Sequence, residues 1–261
     1  MVSVLIFNGR QHNISPEQYW LCGANLMQGA GQEAGVAVQG SVRYFSVGEF
    51  CETAYQIRRH TGDQAAYFFD WLVSSPASLY CMCEPMGHFL EAGRWTLCDR
   101  DTRVLDLATG LRFQHEFDVL AEDMARAEAL AMPPRVDADR VEAHLPAARE
   151  KFRYLREKTR MAIMQASSCV LVRTEHGLTT PSQARIRVRQ LQDIFLPFNP
   201  GLKIIITSSM AQQEVLGEDF IFARIGTGAE WYGDHASWDR VFALAAQAFD
   251  LARPAAVTTP A

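Results

Sequence analysis

This 261-residue chain has no apolar run long enough to span a membrane. Near its start, the apolar stretch Val2–Phe7 is too short for the core of a signal peptide and runs straight into Asn8 and Gly9. We therefore expect no membrane span and no export signal, and a cytoplasmic location. The six cysteines are then expected to be thiols rather than disulfides, because the cytoplasm is reducing.

A large excess of charge is also missing. The formal net charge of −5 argues against a protein that binds the phosphate backbone of nucleic acid, so we expect no nucleic-acid partner. With 48% hydrophobic and 21% charged residues, the composition is typical of a soluble globular protein with a substantial core.

The sequence also lacks cysteines and histidines at the spacing that is typical of a zinc site. Cys81 and Cys83 stand closer together than the ligands of a usual zinc knuckle, and no second pair follows, although His88 and Cys98 lie nearby. We expect no metal and no cofactor, and apolar packing of these cysteines. A structural metal protein built on the four residues is kept as a third hypothesis.

Short apolar runs alternate with amphipathic segments through most of the chain. The alternation predicts an α/β fold with a mostly parallel sheet of about four to five strands, flanked by helices. Helices are expected along Val141–Thr159, after Pro181 and from about Ser237 to Phe249. The predicted strands are Val42–Val47, Ser168–Val172, Leu202–Thr207 and Phe220–Ile225.

Glycine and turn residues mark the remaining organisation. Arg103–Leu107 and Leu111–Gln114 are joined through Thr109 and Gly110, which predicts a hairpin at an edge of the sheet. Residues 1–41 are rich in glycine and are expected to be an irregular extension or lid. A single α/β domain is predicted for 42–252, followed by a flexible tail over 253–261.

Cys51 is the strongest candidate for a functional residue. The strand that begins at Val42 ends in Gly48, and a predicted helix from Glu49 places the thiol in the first helical turn. A helix N-terminus favours an anion and lowers the pKa of a cysteine. The alternative is a small buried hydrophobic residue, and the neighbouring carboxylates of Glu49 and Glu52 would raise the thiol pKa.

A cysteine nucleophile needs a base within hydrogen-bond reach. His115 stands between Phe113 and Phe117, which would place its imidazole on the opposite face of an extended segment, or simply at the surface of a hairpin. His176 and His235 follow or precede elements that end at the same edge of the sheet. His60 is excluded, because helical rise puts it about 14 Å from Cys51.

Asp70 lies in an aromatic run between Phe69 and Trp71. A carboxylate in such a run is either buried with a partner or exposed on a half-buried strand. Buried, it could orient a histidine as the acid of a nucleophile–base–acid set. Otherwise it would cap the segment that follows.

Three blocks in register resemble the bacterial papain-like cysteine peptidase family. They are Phe45–Cys51, Ala54–Arg59 and Phe69–Ser74, and further similarity extends from Val42 to Phe249. Val47 stands in place of a leucine and Phe68 in place of a proline of the family pattern. The later matching segments are Phe113–Phe117, Lys151–Arg156, Cys169–Arg173 and Trp231–Trp238.

The resemblance implies a set of roles. Cys51 would be the nucleophile, His115 its base and Asp70 the orienting acid, with Asp118 as second choice for the acid. Gly48 and Trp71 would then lie against the substrate, a small molecule or a peptide or acyl compound. The implied activity is that of a cysteine peptidase or another acyl hydrolase.

Two alternatives stay open on the sequence. A thioester on Cys51 could pass its acyl group to a glycan or cell-surface precursor instead of water. A non-catalytic protein could use the Gly48–Cys51 turn to bind an anion through backbone N–H groups. The basic residues of 149–160 would contact a partner in that case, or simply form a solvated face.

Overall fold

The computed structural model describes residues 42–124 and 133–251 with their side chains, and the backbone of 3–7 and 10–14. The strands in chain order are β1 (Ser3–Phe7), β2 (Arg10–Ile14), β3 (Val42–Ser46), β4 (Leu72–Val73), β5 (Trp95–Cys98), β6 (Arg103–Asp106), β7 (Arg112–Phe113), β8 (Ser168–Thr174), β9 (Lys203–Ser208), β10 (Val215–Leu216) and β11 (Phe220–Arg224). The α-helices are α1 (Cys51–Thr61), α2 (Ala138–Gln165), α3 (Pro181–Phe195) and α4 (His235–Ala248). A 3₁₀ helix covers Ala77–Met82.

The first two strands form an antiparallel pair, with Ser3 opposite Ile14. They fall within the predicted extension 1–41, whose other residues lie outside the described ones. The predicted tail 253–261 also lies outside the described residues.

Five strands form the main sheet, in the order β10-β11-β9-β8-β3. Strands β3, β8, β9 and β11 run parallel, and the short β10 is antiparallel at one edge. The apolar runs of β8 and β9 are buried along almost their whole length, as expected for strands covered on both faces. The predicted α/β fold with a mostly parallel sheet flanked by helices is confirmed.

Side chains of successive strand residues point to opposite faces, and each face has its own core. Val170 and Val172 of β8 belong to a cluster with Trp238 and Phe242 of α4. Leu171 of the same strand belongs to a larger cluster that includes residues of α2 and α3. The sheet therefore lies between two helical layers, with α1 and α4 on one side.

A second, antiparallel sheet of four strands has the order β4-β7-β6-β5. The hairpin predicted over Arg103–Gln114 does form, as β6 paired with β7. Its predicted place at an edge of the main sheet is wrong, because β7 pairs with β4 instead. Phe113 of β7 is buried in the same core as Phe152 of α2, so docking on that helix fixes the position of the hairpin.

Within the described ranges, no helix combines the length and apolarity that a bilayer crossing requires. Helix α2 has 28 residues and is about 42 Å long, which would be sufficient in length alone. Its exposed face carries charged side chains up to Arg160, such as Asp139, Glu150 and Glu157, and it packs as a layer of the fold.

Three arginines of α2 bind the segment 81–90, which begins in the 3₁₀ helix, and we call Arg149, Arg153 and Arg156 the arginine row. This part of the basic helix was expected to form a solvated face, but Arg156 is buried. The acceptors are main-chain carbonyls: Leu90 for Arg149, Met86 for Arg153, and Cys81, Met82 and Glu84 for Arg156.

Candidate active site

Helix α1 begins at Cys51, five residues after β3 ends at Ser46. Phe50 is the N-cap, with φ −137° and ψ 139°, and its side chain does not cap the helix. Cys51 is half-buried at this end of the helix. The prediction that the thiol lies in the first turn of a helix is confirmed, and the helix dipole there favours a thiolate.

The turn before Cys51 depends on a glycine. A Cβ at Gly48 would lie 2.6 Å from the carbonyl oxygen of Phe69 and 3.1 Å from that of Leu72. The Gly48 carbonyl accepts a hydrogen bond from the backbone N–H of Ser74 at 3.1 Å. The absence of a side chain thus lets the turn pack on residues 69–74, and the predicted contact of Gly48 with substrate stays a prediction.

A buried guanidinium ties the same two segments together. Arg173, near the end of β8, has no exposed side-chain surface. It donates to the carbonyl of Val47 at 2.7 Å and of Gly48 at 3.3 Å, and to the carbonyl of Ser74 at 2.9 Å. These bonds hold the turn that carries Cys51 against the loop that follows β4.

The charge of Arg173 is compensated within the fold. Glu175, which is also buried, forms ion pairs with both Arg173 and Arg187. A buried charge without such partners would be costly, and here carboxylate and carbonyl oxygens surround it. Sequence reasoning missed Arg173, although a charged residue at the end of an apolar strand was a visible signal.

His115 contacts Cys51. Its Nε2 lies 3.8 Å from Sγ, although the two residues are 64 positions apart. Burial lowers the pKa of His115 to about 4, and the positive charge of Arg103 contributes further. The imidazole is therefore neutral at neutral pH and can accept a proton from a thiol.

His176 contacts the two residues that flank Cys51 in the sequence. Its Nε2 is 3.6 Å from Oε2 of Glu52, its Nδ1 is 3.0 Å from Oγ of Ser209, and its ring lies 4.7 Å from that of Phe50. Glu52 is buried and also accepts the indole N–H of Trp238 at 2.7 Å. This histidine thus belongs to a packed polar cluster around Glu52.

The two other candidate histidines, His235 and His60, stack on aromatic rings. His235 is the first residue of α4 and stacks on Tyr232, with ring centroids 5.0 Å apart. His60 stacks on Phe242 at 4.2 Å, and burial lowers its pKa. Its exclusion on grounds of distance agrees with its position at the far end of α1.

Asp70 is buried and bound to Arg58. Its Oδ2 accepts from Nη2 of Arg58 at 2.9 Å and from the backbone N–H of Tyr67 at 2.9 Å. Burial raises the pKa of this carboxyl, and the Arg58 charge opposes the rise. These contacts hold the turn 67–70, so the role of Asp70 as an acid that orients His115 stays a prediction.

The second choice for the acid, Asp118, faces α2. Its Oδ2 lies 2.7 Å from Nη1 of Arg140 and 3.5 Å from Nε2 of His144. Both partners lie near the start of α2, so Asp118 joins the His115 segment to that helix.

Trp71 and His115 line the same cavity, which has a volume of about 30 Å³. The Arg58 guanidinium lies 4.9 Å from the centre of the indole ring. The Nε1–H of Trp71 is buried, and no acceptor for it lies within the part of the chain that is described. Most other walls are apolar, among them Phe68, Leu72, Phe113, Phe152 and Leu155.

The other cysteines have different surroundings. Burial raises the pKa of Cys81 and of Cys169 to about 12, and it also raises the pKa of Cys83 and Cys98. No cluster of three or more metal-ligand side chains occurs in 42–124 or 133–251. A metal site on Cys81, Cys83 and their neighbours therefore has no support in the geometry of these ranges.

The arrangement can support acyl transfer. A half-buried thiol at a helix N-terminus contacts a neutral imidazole, and His115 lines a small cavity together with Trp71, whose indole N–H is buried. No family model, curated protein or solved structure matches this chain. The resemblance to papain-like cysteine peptidases therefore stays a prediction, and the proposal below depends on the geometry.

Proposed function

We propose that this protein is a cysteine-dependent acyl hydrolase in which Cys51 is the nucleophile and His115 is the base. The observation that supports it is the 3.8 Å contact between Sγ and Nε2. This contact joins the start of α1, beside the main sheet, to the segment after β7 of the antiparallel sheet. Nucleophile and base within reach of each other are the signature of nucleophilic catalysis.

The reaction takes two steps. Sγ of Cys51 attacks the carbonyl carbon of an ester or amide, and Nε2 of His115 takes the thiol proton as the carbon–sulfur bond forms. The tetrahedral intermediate expels the alcohol or amine, which leaves with the proton from His115. Water then attacks the thioester, gives one proton to His115 and releases a carboxylic acid, and the proton returns to Sγ.

The surroundings of Cys51 suit this chemistry. Helix α1 directs its positive end at Sγ, which stabilises a developing thiolate. The nearest carboxylate in sequence, Glu52, is bound to Trp238 and faces His176. Both carboxylate oxygens of Glu52 therefore have partners other than the Cys51 thiol.

The test is acylation by 4-nitrophenyl acetate. The wild-type protein is expected to release nitrophenolate in a burst and to carry an acetyl group on Cys51, detected by mass spectrometry. Cys51→Ala should lose the burst. Cys83→Ala is the matched control, because Cys83 is an exposed thiol whose hydrogen bond goes to the carbonyl of Ile194.

Two results would contradict the proposal. One is a burst that survives in Cys51→Ala, and the other is equal acetylation of Cys83 and Cys51 in the wild-type protein. Either would favour the non-catalytic hypothesis, in which the turn before α1 binds an anion.

Acyl transfer is the second candidate, because aromatic side chains surround the next turn of α1. Tyr55 stands four residues after Cys51, on the same face of the helix, and stacks on Tyr232 at 5.0 Å and against Trp231 at 5.3 Å. All three are partly exposed, and aromatic rings of this kind can pack against an acceptor ring such as a sugar. Acetyl groups recovered on an added oligosaccharide rather than as acetate would favour transfer over hydrolysis.

A further inference from the structure

The indole N–H of Trp71 is unusual among the described tryptophans. Trp95 donates its Nε1–H to Glu142 at 2.6 Å, and Trp238 donates to Glu52 at 2.7 Å. The Trp71 Nε1–H is buried with no acceptor among the described residues. Buried polar groups are nearly always hydrogen-bonded, so an exception in a residue that lines the same cavity as His115 calls for an explanation.

The ring face of the Trp71 indole is contacted by a charged side chain. Arg58 lies over the ring at 4.9 Å, and the same guanidinium donates to Asp70 at 2.9 Å. Asp70 in turn accepts the backbone N–H of Tyr67, which fixes the turn that precedes Trp71. Asp70, Arg58 and Trp71 therefore form a chain of contacts, which we call the indole support.

One cavity connects Trp71 with the proposed base, His115. Trp71 and His115 are both among its lining residues, and Nε2 of His115 contacts Sγ of Cys51. A volume of about 30 Å³ admits about two water-sized groups. Its walls are mostly apolar, and hydrogen bonds are stronger in such surroundings than in water.

We propose that the Nε1–H of Trp71 donates to the carbonyl oxygen of a short acyl group, about the size of acetyl, and stabilises the oxyanion that forms when Cys51 attacks. The inference rests on the proposed function. As Sγ bonds to the carbonyl carbon, the electron pair of the carbon–oxygen π bond moves to the oxygen, and the indole N–H receives that charge. When the leaving group departs, the pair returns and the thioester carbonyl is formed.

Asp70 and Arg58 are then positioning residues for the indole. Asp70 orients the guanidinium, and the guanidinium holds the ring by its face. This gives Asp70 a role in catalysis that requires no contact with His115.

Two reactions of the Cys51 thiol distinguish whether Trp71 acts as an oxyanion donor or has only a structural role. Acetylation by 4-nitrophenyl acetate passes through an oxyanion, whereas alkylation by iodoacetamide displaces iodide at carbon without one. Both rates are measured at Cys51 in the wild-type protein and in Trp71→Phe, which keeps an aromatic ring but lacks the N–H. We expect acetylation to fall by about 100-fold, as on removal of one oxyanion donor, and alkylation to stay within about twofold.

Trp95→Phe is the matched control. It removes an indole N–H that is bonded to Glu142 near the start of α2, and both rates should match those of the wild-type protein. Arg58→Lys supplies a second variant, since lysine keeps a positive charge for Asp70 but loses the flat guanidinium over the ring. It should slow acetylation more than alkylation, and this excess should vanish in the Trp71→Phe background.

The outcomes are distinct. Equal losses of both rates in Trp71→Phe, or no loss of either, would overturn the role of the indole and leave the hydrolase proposal intact. Should Trp71→Phe fail to fold, a parallel loss of both rates in Arg58→Lys would do the same. A wild-type Cys51 that is alkylated but never acetylated would overturn the proposed function itself.

Discussion

Two histidines contact residues in or next to the first turn of α1, and their surroundings differ. His115 contacts Sγ of Cys51 and is held neutral by burial. His176 faces the carboxylate of Glu52 and the hydroxyl of Ser209. The two histidines thus differ in what their nitrogens contact: a sulfur for His115, and a carboxylate and a hydroxyl oxygen for His176.

The largest expected effect separates the two histidines. His115→Asn should slow acetylation of Cys51 by about 100-fold to 10,000-fold, the usual contribution of a general base. His176→Asn should change the rate by less than about threefold, because its nitrogens are directed at Glu52 and Ser209. Single-turnover kinetics with 4-nitrophenyl acetate measure both variants, and a reversed order would assign the base to His176.

A second prediction concerns the packing of the loop at Gly233 against Glu52. Gly233 has a φ of +79°, and a Cβ there would overlap Oε1 of Glu52. Gly233→Ala should lower the free energy of unfolding by at least about 2 kcal/mol, because a left-handed alanine alone costs about 1–2 kcal/mol. Urea denaturation measures the change.

The control for this prediction is Gly177→Ala. No atom lies within 4 Å of a Cβ built at Gly177, which is exposed. Its free energy of unfolding should stay close to that of the wild-type protein. Equal destabilisation by the two substitutions would mean that contact with Glu52 does not constrain the loop.

The third prediction concerns pH and His115. His115 must be neutral to accept the thiol proton, and its pKa is about 4 in the fold against an ordinary 6.5. The acid limb of the rate of Cys51 acetylation should therefore lie near pH 4. A limb near pH 6.5 in the pH–rate profile would show that His115 titrates as an exposed histidine.

The free energy of unfolding should depend on the same titration of His115. As pH falls below 6.5, the unfolded chain takes up a proton on His115 before the folded protein does, and this lowers stability down to about pH 4. The free energy of unfolding of His115→Asn should fall less steeply over that window. Parallel curves for the two proteins would contradict the lowered pKa.

The smallest effect is expected at Glu52. Glu52→Gln keeps an oxygen for the indole of Trp238 but removes a negative charge next to Cys51. The pKa of the Cys51 thiol should fall by less than one unit, because Glu52 also faces His176. The pH dependence of iodoacetamide alkylation measures this, and a larger fall would mean that Glu52 controls the thiol directly.

Local patterns were sufficient to predict much of the fold. Strands β8 and β9 follow from runs such as Val170–Val172 and Ile204–Ile206, because such runs suit a strand covered on both faces. The first-turn position of Cys51 follows from a strand, a glycine and a helical pattern within about twenty residues.

Contacts between distant segments were not predictable in the same way. The approach of His115 to Cys51 and the pairing of β7 with β4 arise from docking of the antiparallel sheet on α2. Asp70 was a candidate for its burial, but its partner Arg58 lies twelve residues earlier on α1. Such pairs depend on three-dimensional packing, and the identity of a single residue carries no signal of its partner.

The arginine row has a consequence for sequence variation. Within 81–90 its members bind main-chain oxygens, which every amino acid provides, and Arg156 also pairs with Glu157 on its own helix. The guanidinium groups thus donate hydrogen bonds to backbone carbonyls of a segment that is not part of a sheet. Replacing an exposed side chain of that segment, such as Glu84, should therefore leave the path of the backbone unchanged.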